Sequence, residues 1–183
     1  MRQADNEIND LLAGHLFEPA AEINMQDTIL ALDPGAMLGW ALQRHDGTIA
    51  SGTVSFQPAS FEGEGMRFVR FARWLGELHA VVGGVHALYF VEVRNHPSID
   101  VAHRYGGFLA QLSAWCEAQS VSVPYRGVPT GTIKKHATGR GDAAKVDLIA
   151  AARLDGHHPY DGNEATALAL LRWAIESRGG GSA

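Results

Sequence analysis

Cysteine is almost missing from this chain. The single Cys116 excludes a disulfide framework and any all-cysteine zinc site. Long apolar runs are missing too, and none approaches the roughly 20 residues that a membrane span requires. The opening MRQADNEINDLL has no basic segment followed by an apolar one, so it does not read as a secretory leader, and a cytoplasmic location is expected. Positive charge is also scarce. Lys and Arg number 15 against 20 Asp and Glu, a formal net of −5, which argues against a protein that coats nucleic acid through bulk charge. A local basic face stays open, because steering depends on how charge is distributed as well as on its sum. What the chain does have is 183 residues, 46% of them apolar, enough for one domain with a real core.

Residues 1–26 read as an N-terminal arm. Ile8, Leu11, Leu12 and Leu16 recur at helical spacing until Pro19 stops the pattern. The arm suits a helix packed on its own domain or a docking helix for a partner. The domain proper is expected over 27–178, with 179–183 a flexible glycine-rich tail. It opens on residues 28–33, a near-continuous apolar run ending in Asp33-Pro34-Gly35, which predicts a strand buried on both faces. Strands at 39–43 and 48–56 follow, joined by the tight-turn pair Asp46-Gly47. A helix over 65–82 carries the stripe Phe68, Phe71, Ala72, Leu75 and Leu78. Strands at 87–93 and 121–128 and helices at 99–119, 130–137, 142–154 and 163–176 complete a mixed α/β sheet of about five strands.

Acids stand at element ends in three places: Asp33, Glu92, and the segment Asp161-Gly162-Asn163-Glu164. Carboxylates converging from two strands and a helix can hold hard cations, and a magnesium pair so held would clamp both sides of a phosphodiester. Basic residues gather elsewhere. Arg126, Lys134, Lys135, Arg140 and Lys145 face only Asp142 between positions 126 and 145, and glycines at 139 and 141 free backbone N–H groups beside them, which suits phosphate contacts. The adjacent His157 and His158 face different ways on either regular backbone and do not suggest a shared metal.

The order of these features resembles the RuvC-type Holliday-junction resolvases, especially their phage and prophage branch. The residues carrying the resemblance are Ile29-Leu30-Ala31-Leu32-Asp33-Pro34-Gly35, Gly39-Trp40, the strand reaching Glu92, Tyr105-Gly106-Gly107-Phe108, the segment from Lys134 to Lys145, and Asn163-Glu164-Ala165 with Ala167-Leu168-Ala169-Leu170. It spans about residues 28–176. The resemblance implies an RNase H-like fold, a homodimer acting on branched DNA such as a four-way junction, and magnesium-dependent cleavage. A dimer is also suggested by the apolar Phe68, Phe71 and Trp74 on one helix.

Carried over by resemblance, Asp33 takes the place of the first catalytic aspartate and metal ligand. Lys134 and Lys145 take the places of two lysines near the scissile phosphate and the junction strands, with Lys135 and Arg140 beside them. Three other ligand positions depart from the pattern. The branch reads Phe-Glu-Glu-Val where this chain has Phe90-Val91-Glu92-Val93, which puts Val91 at the ligand position. It reads Asp-Asp-Asn-Glu-Ala-Asp where this chain has Asp161-Gly162-Asn163-Glu164-Ala165-Thr166, which costs acids at Gly162 and Thr166. Leu38 also replaces a threonine in the first loop. The expectation is a branched-DNA-binding protein descended from a resolvase, with an eroded metal site and weak or absent nuclease activity. An active resolvase would need Glu92 turned inward by a bulge, with Asp161 and Glu164 replacing the lost acids. A protein–protein interaction module built on the fold and the arm is a third reading. An actin-like or sugar-kinase ATPase needs two such domains and is set aside.

Overall fold

A computed structural model of the protein describes residues 27–179; the expected helical arm and residues 180–183 of the expected tail lie outside them. The chain opens on β1 (Ile29–Asp33), β2 (Met37–Gln43) and β3 (Ile49–Ser55), an antiparallel meander. Next come α1 (Met66–Val81), β4 (Ala87–Glu92), α2 (Ile99–Glu117) and β5 (Tyr125–Pro129). The last three elements are helices: α3 (Thr130–Thr138), α4 (Lys145–Leu154) and α5 (Gly162–Gly179). The five strands form one sheet in the order β3-β2-β1-β4-β5, with β4 parallel to both β1 and β5. Among the described residues no helix is long and apolar enough to cross a membrane.

The apolar run of β1 splits cleanly between two cores, because successive strand side chains alternate faces. Leu30 and Leu32 join Leu38, Leu88, Phe71, Leu75, Phe108 and Leu112 under α1 and α2. Ile29 and Ala31 join Val91, Val128, Ile133, Leu148, Leu168 and Leu171 under α3, α4 and α5. Both faces are therefore covered, which is why the central strand carries no polar residue before Asp33. Phe71 of α1 is fully buried and stacks with Trp74, while Phe68 meets Phe108 edge-on. Phe68 and Trp74 pack against the same core and stay half-buried.

Several boundaries differ from the sequence reading, among them the start of α4, at Lys145 and not 142, and the start of β2, at Met37 and not 39. The fifth strand begins at Tyr125 and not near residue 121, because Pro124 has no N–H to give the ladder and only its carbonyl is used, accepting from the Leu88 amide at 2.9 Å. The last helix begins one residue earlier than expected, at Gly162. Asp161 caps it, with Oδ1 accepting from the amides of Asn163 and Glu164 at 2.9 Å each.

Helix α5 is buried from Glu164 through Leu171, and its small residues let it lie close across β1 and β2. Gly39 on β2 makes that approach possible. A Cβ there would run into the carbonyl of Asn163 and the amide of Glu164, both backbone atoms that cannot swing aside. Gly39→Ala should therefore cost about 3 kcal/mol, the upper range for overpacking, read as a lowered urea midpoint with an unchanged m-value.

Candidate functional site

Asp33 ends β1 on the α5 face of the sheet, in line with Ile29 and Ala31. The β1–β4 ladder pairs Ala31 with Tyr89 and Leu32 with Phe90, so the next rung sets Val91 beside Asp33. Val91 is 2% exposed and belongs to the same core as Ala31. Glu92 follows Leu88 and Phe90 onto the opposite face, where it meets Arg94 at 3.3 Å. No bulge interrupts this stretch: β4 pairs with β5 without a break from Leu88 to Glu92. The Tyr105 hydroxyl also pins the strand end, donating to the Val91 carbonyl at 2.8 Å and accepting from the Val93 amide at 3.1 Å.

Helix α5 supplies the other wall. The Thr166 hydroxyl on α5 lies close enough to Asp33 to lower its pKa. Its one proton goes to the Gly162 carbonyl at 2.6 Å, so it has little to give a charged Asp33. Gly162 is covered by Lys145, the first residue of α4. A Cβ at Gly162 would sit 2.8 Å from the Lys145 Cβ and 2.7 Å from its Cδ. The Lys145 ammonium donates to the Asn163 side-chain oxygen.

Asp161 and Glu164 are taken up by structural contacts. Besides capping α5, Asp161 Oδ1 accepts from the Thr53 hydroxyl at 2.9 Å. Burial raises its pKa, but the hydrogen bonds from the Glu164 amide, Thr53 and the Asn163 amide outweigh it and hold the carboxyl below its usual range. Glu164 is 7% exposed and turned toward β3, accepting from the Ser51 hydroxyl at 2.7 Å and from the Tyr160 amide at 2.8 Å. Ser51, Thr53 and Asn163 were not among the sequence candidates. The only hint was the polar alternation of residues 51 and 53, which marks the β3 face turned toward α5.

Electrostatically Asp33 is the exceptional group. Burial pushes its pKa up to about 6; Lys145 and the Thr166 hydroxyl oppose the shift, and Asp161 adds to it. The surroundings of Asp33 thus hold a valine, a threonine hydroxyl, a lysine ammonium and one further carboxylate, that of Asp161. A magnesium pair needs several anionic oxygens, and this donor set does not fit one. Among the described residues no three His, Cys, Asp or Glu side chains come together as a metal site, the His157-His158 pair included.

The basic candidates lie on α3, on the turn after it and at the start of α4. Buried Ile133 anchors α3, leaving Lys134 half-buried and Lys135 exposed. Gly139 closes the helix at φ 78°, a left-handed position suited to glycine. Arg140 is exposed and loosely paired with Asp142 at 3.3 Å. Lys134, Lys135 and Arg140 thus lie on α3 and the turn that ends it, and Lys145 at the start of α4 is partly committed to Asn163.

No protein-family model matches the chain, and no curated protein is similar to it at a meaningful level. Solved structures are. The Thermus thermophilus RuvC in complex with a Holliday junction substrate aligns with a TM-score of 0.67 and 21% identity, over 85% of this chain and 97% of that one. A second structure of Thermus thermophilus RuvC gives 0.63 and 22% identity, over 84% and 96%. The yeast mitochondrial Holliday junction resolvase Ydc2 gives 0.59 and 12% identity, over 87% and 83%. The fold is therefore RNase H-like, of the RuvC type, with a mixed five-stranded sheet flanked by helices.

Proposed function

We propose that this protein binds branched DNA of the four-way-junction kind on a RuvC-type scaffold and does not cleave it. The observation carrying the proposal is the company Asp33 keeps. Val91 and Thr166 flank it on one face, and a lysine side chain lies over Gly162 where the resemblance expects an acid. Supporting the DNA half are the basic residues Lys134, Lys135 and Arg140 on α3 and the turn after it, and the likeness to a RuvC solved with a junction substrate. The same reading makes the chain a phage- or prophage-type member acting as a homodimer. An active resolvase would rely on Glu92, Asp161 and Glu164, and in this fold one faces the other side of the sheet while two are held by hydrogen bonds to β3 and α5.

Phosphate contacts release condensed counterions, so affinity should fall steeply with salt. The full chain, titrated onto a labelled four-way junction with magnesium present, should shift the DNA and leave every strand intact. Lys134→Ala with Lys135→Ala should weaken binding and reduce the slope of log K against log salt by about 2. Nicking that Asp33→Asn abolishes would overturn the non-cleaving half. An unchanged slope in the double variant would place the DNA surface elsewhere.

A further inference from the structure

Helices α4 and α5 leave an apolar cleft of about 320 Å³ between them, closed at one side by α3 and at one end by the start of β3. Ile49, Ala151, Leu168, Leu171 and Ile175 supply its apolar lining, and Arg172 stands at its rim, tied to Asp155 at 2.7 Å and Glu176 at 2.9 Å. Ile175 also lines a shallow depression with Asp27, Ile29 and Arg178, so the two hollows adjoin along α5. Asp27 is the first described residue, and its carboxylate pairs with Arg178 near the end of α5. The preceding chain therefore emerges at the mouth of this groove.

That preceding chain carries one apolar feature, the stripe Ile8, Leu11, Leu12 and Leu16. A helix over residues 8–16 would be about 13 Å long, and α5 rises about 10 Å from Leu168 to Ile175, so the lengths correspond. Residues 17–26 can span about 33 Å when extended, enough to return the stripe from Asp27 to the far end of the cleft. A helix of nine residues is marginal in water and gains order by burying its apolar face. Glu7 and Asp10 would flank the stripe, and Lys134 lies one turn before cleft-lining Ala137 on α3, which offers them a cation. Tethering settles the choice of occupant. A segment held ten residues away acts at millimolar effective concentration, above that of a second copy in free solution.

We propose that residues 8–16 dock as an amphipathic helix in the α4–α5 cleft of their own chain. Hydrogen exchange on the full-length protein tests this. Amides 12–16, the ones a helix starting at residue 8 bonds internally, should exchange at least tenfold more slowly than amides 2–6, at a ratio that does not change on tenfold dilution. Ala151→Trp, which fills the cleft, should abolish that protection while the amides of β1 and α2 keep theirs. Should that variant fail to fold, Leu11→Asp with Leu12→Asp, both outside the described residues, should speed exchange along α4. Random-coil exchange across 8–16 overturns the proposal. So does protection that survives Ala151→Trp, or protection lost on dilution, which would assign the cleft to a second copy.

Discussion

Val91→Glu combined with Thr166→Asp should convert a protein without junction cleavage into one with magnesium-dependent cleavage. Both positions adjoin Asp33, one across the β1–β4 ladder and one on α5, so the two new carboxylates would join it on the same face. Val91→Glu alone should be strongly destabilising, because it buries a carboxylate at a site 2% exposed, beside another carboxylate and without a partner. In the double variant magnesium would supply that partner. At a hundredfold excess over its dissociation constant, a metal that binds only the folded state stabilises by about 2.7 kcal/mol, a rise in melting temperature of roughly 5–10 °C. Gly162 is better left alone, since a side chain there would strike Lys145 at its Cβ as well as further out. Cleavage should vanish when Asp33→Asn is added. A double variant that folds and binds junctions, yet shows neither metal-dependent melting nor nicking, would mean these positions do not share a site.

Asp33→Asn in the otherwise unaltered protein should raise stability at pH 7.5 and leave it nearly unchanged at pH 4. With its folded pKa at about 6 against 3.8 for the ordinary group, Asp33 favours the folded state in its protonated form. That contribution is fully present below pH 4 and is lost as pH rises through 6. Above pH 7 the charged carboxylate costs about 2 kcal/mol, once its partial exposure is allowed for. Removing the charge should then raise the melting temperature by roughly 4–8 °C at neutral pH, with the gain shrinking across pH 6 to 4. The measurement is a pair of melting curves at each pH in the presence of EDTA. A destabilised asparagine variant at pH 7.5 would show that Lys145 holds Asp33 ionised and outweighs burial.

Much of the fold was legible before any coordinates, because its signals are local. The run ending at Asp33 reads as a strand covered on both faces, and the Asp46-Gly47 turn set the β2–β3 hairpin. The residue types at Val91, Gly162 and Thr166 could be read directly, and the resemblance implies acids at those places. Other features were invisible because they arise between segments far apart in sequence. Nothing near Glu164 indicates that Ser51, 113 residues away, would take its carboxylate. The aromatic stripe of α1 suits an interface as well as a core, and only the arrival of Phe56 and Phe108 turns it inward. Likewise Lys145 reads as a free cation until α4 and α5 close and lay it over Gly162. The sequence by itself determined the order of elements, which depends on residue type and near-neighbour spacing. Tertiary structure alone decided which surviving acids are spent on holding helices and which one is left charged beside a lysine, because burial and long-range hydrogen bonds exist only once the layers have packed.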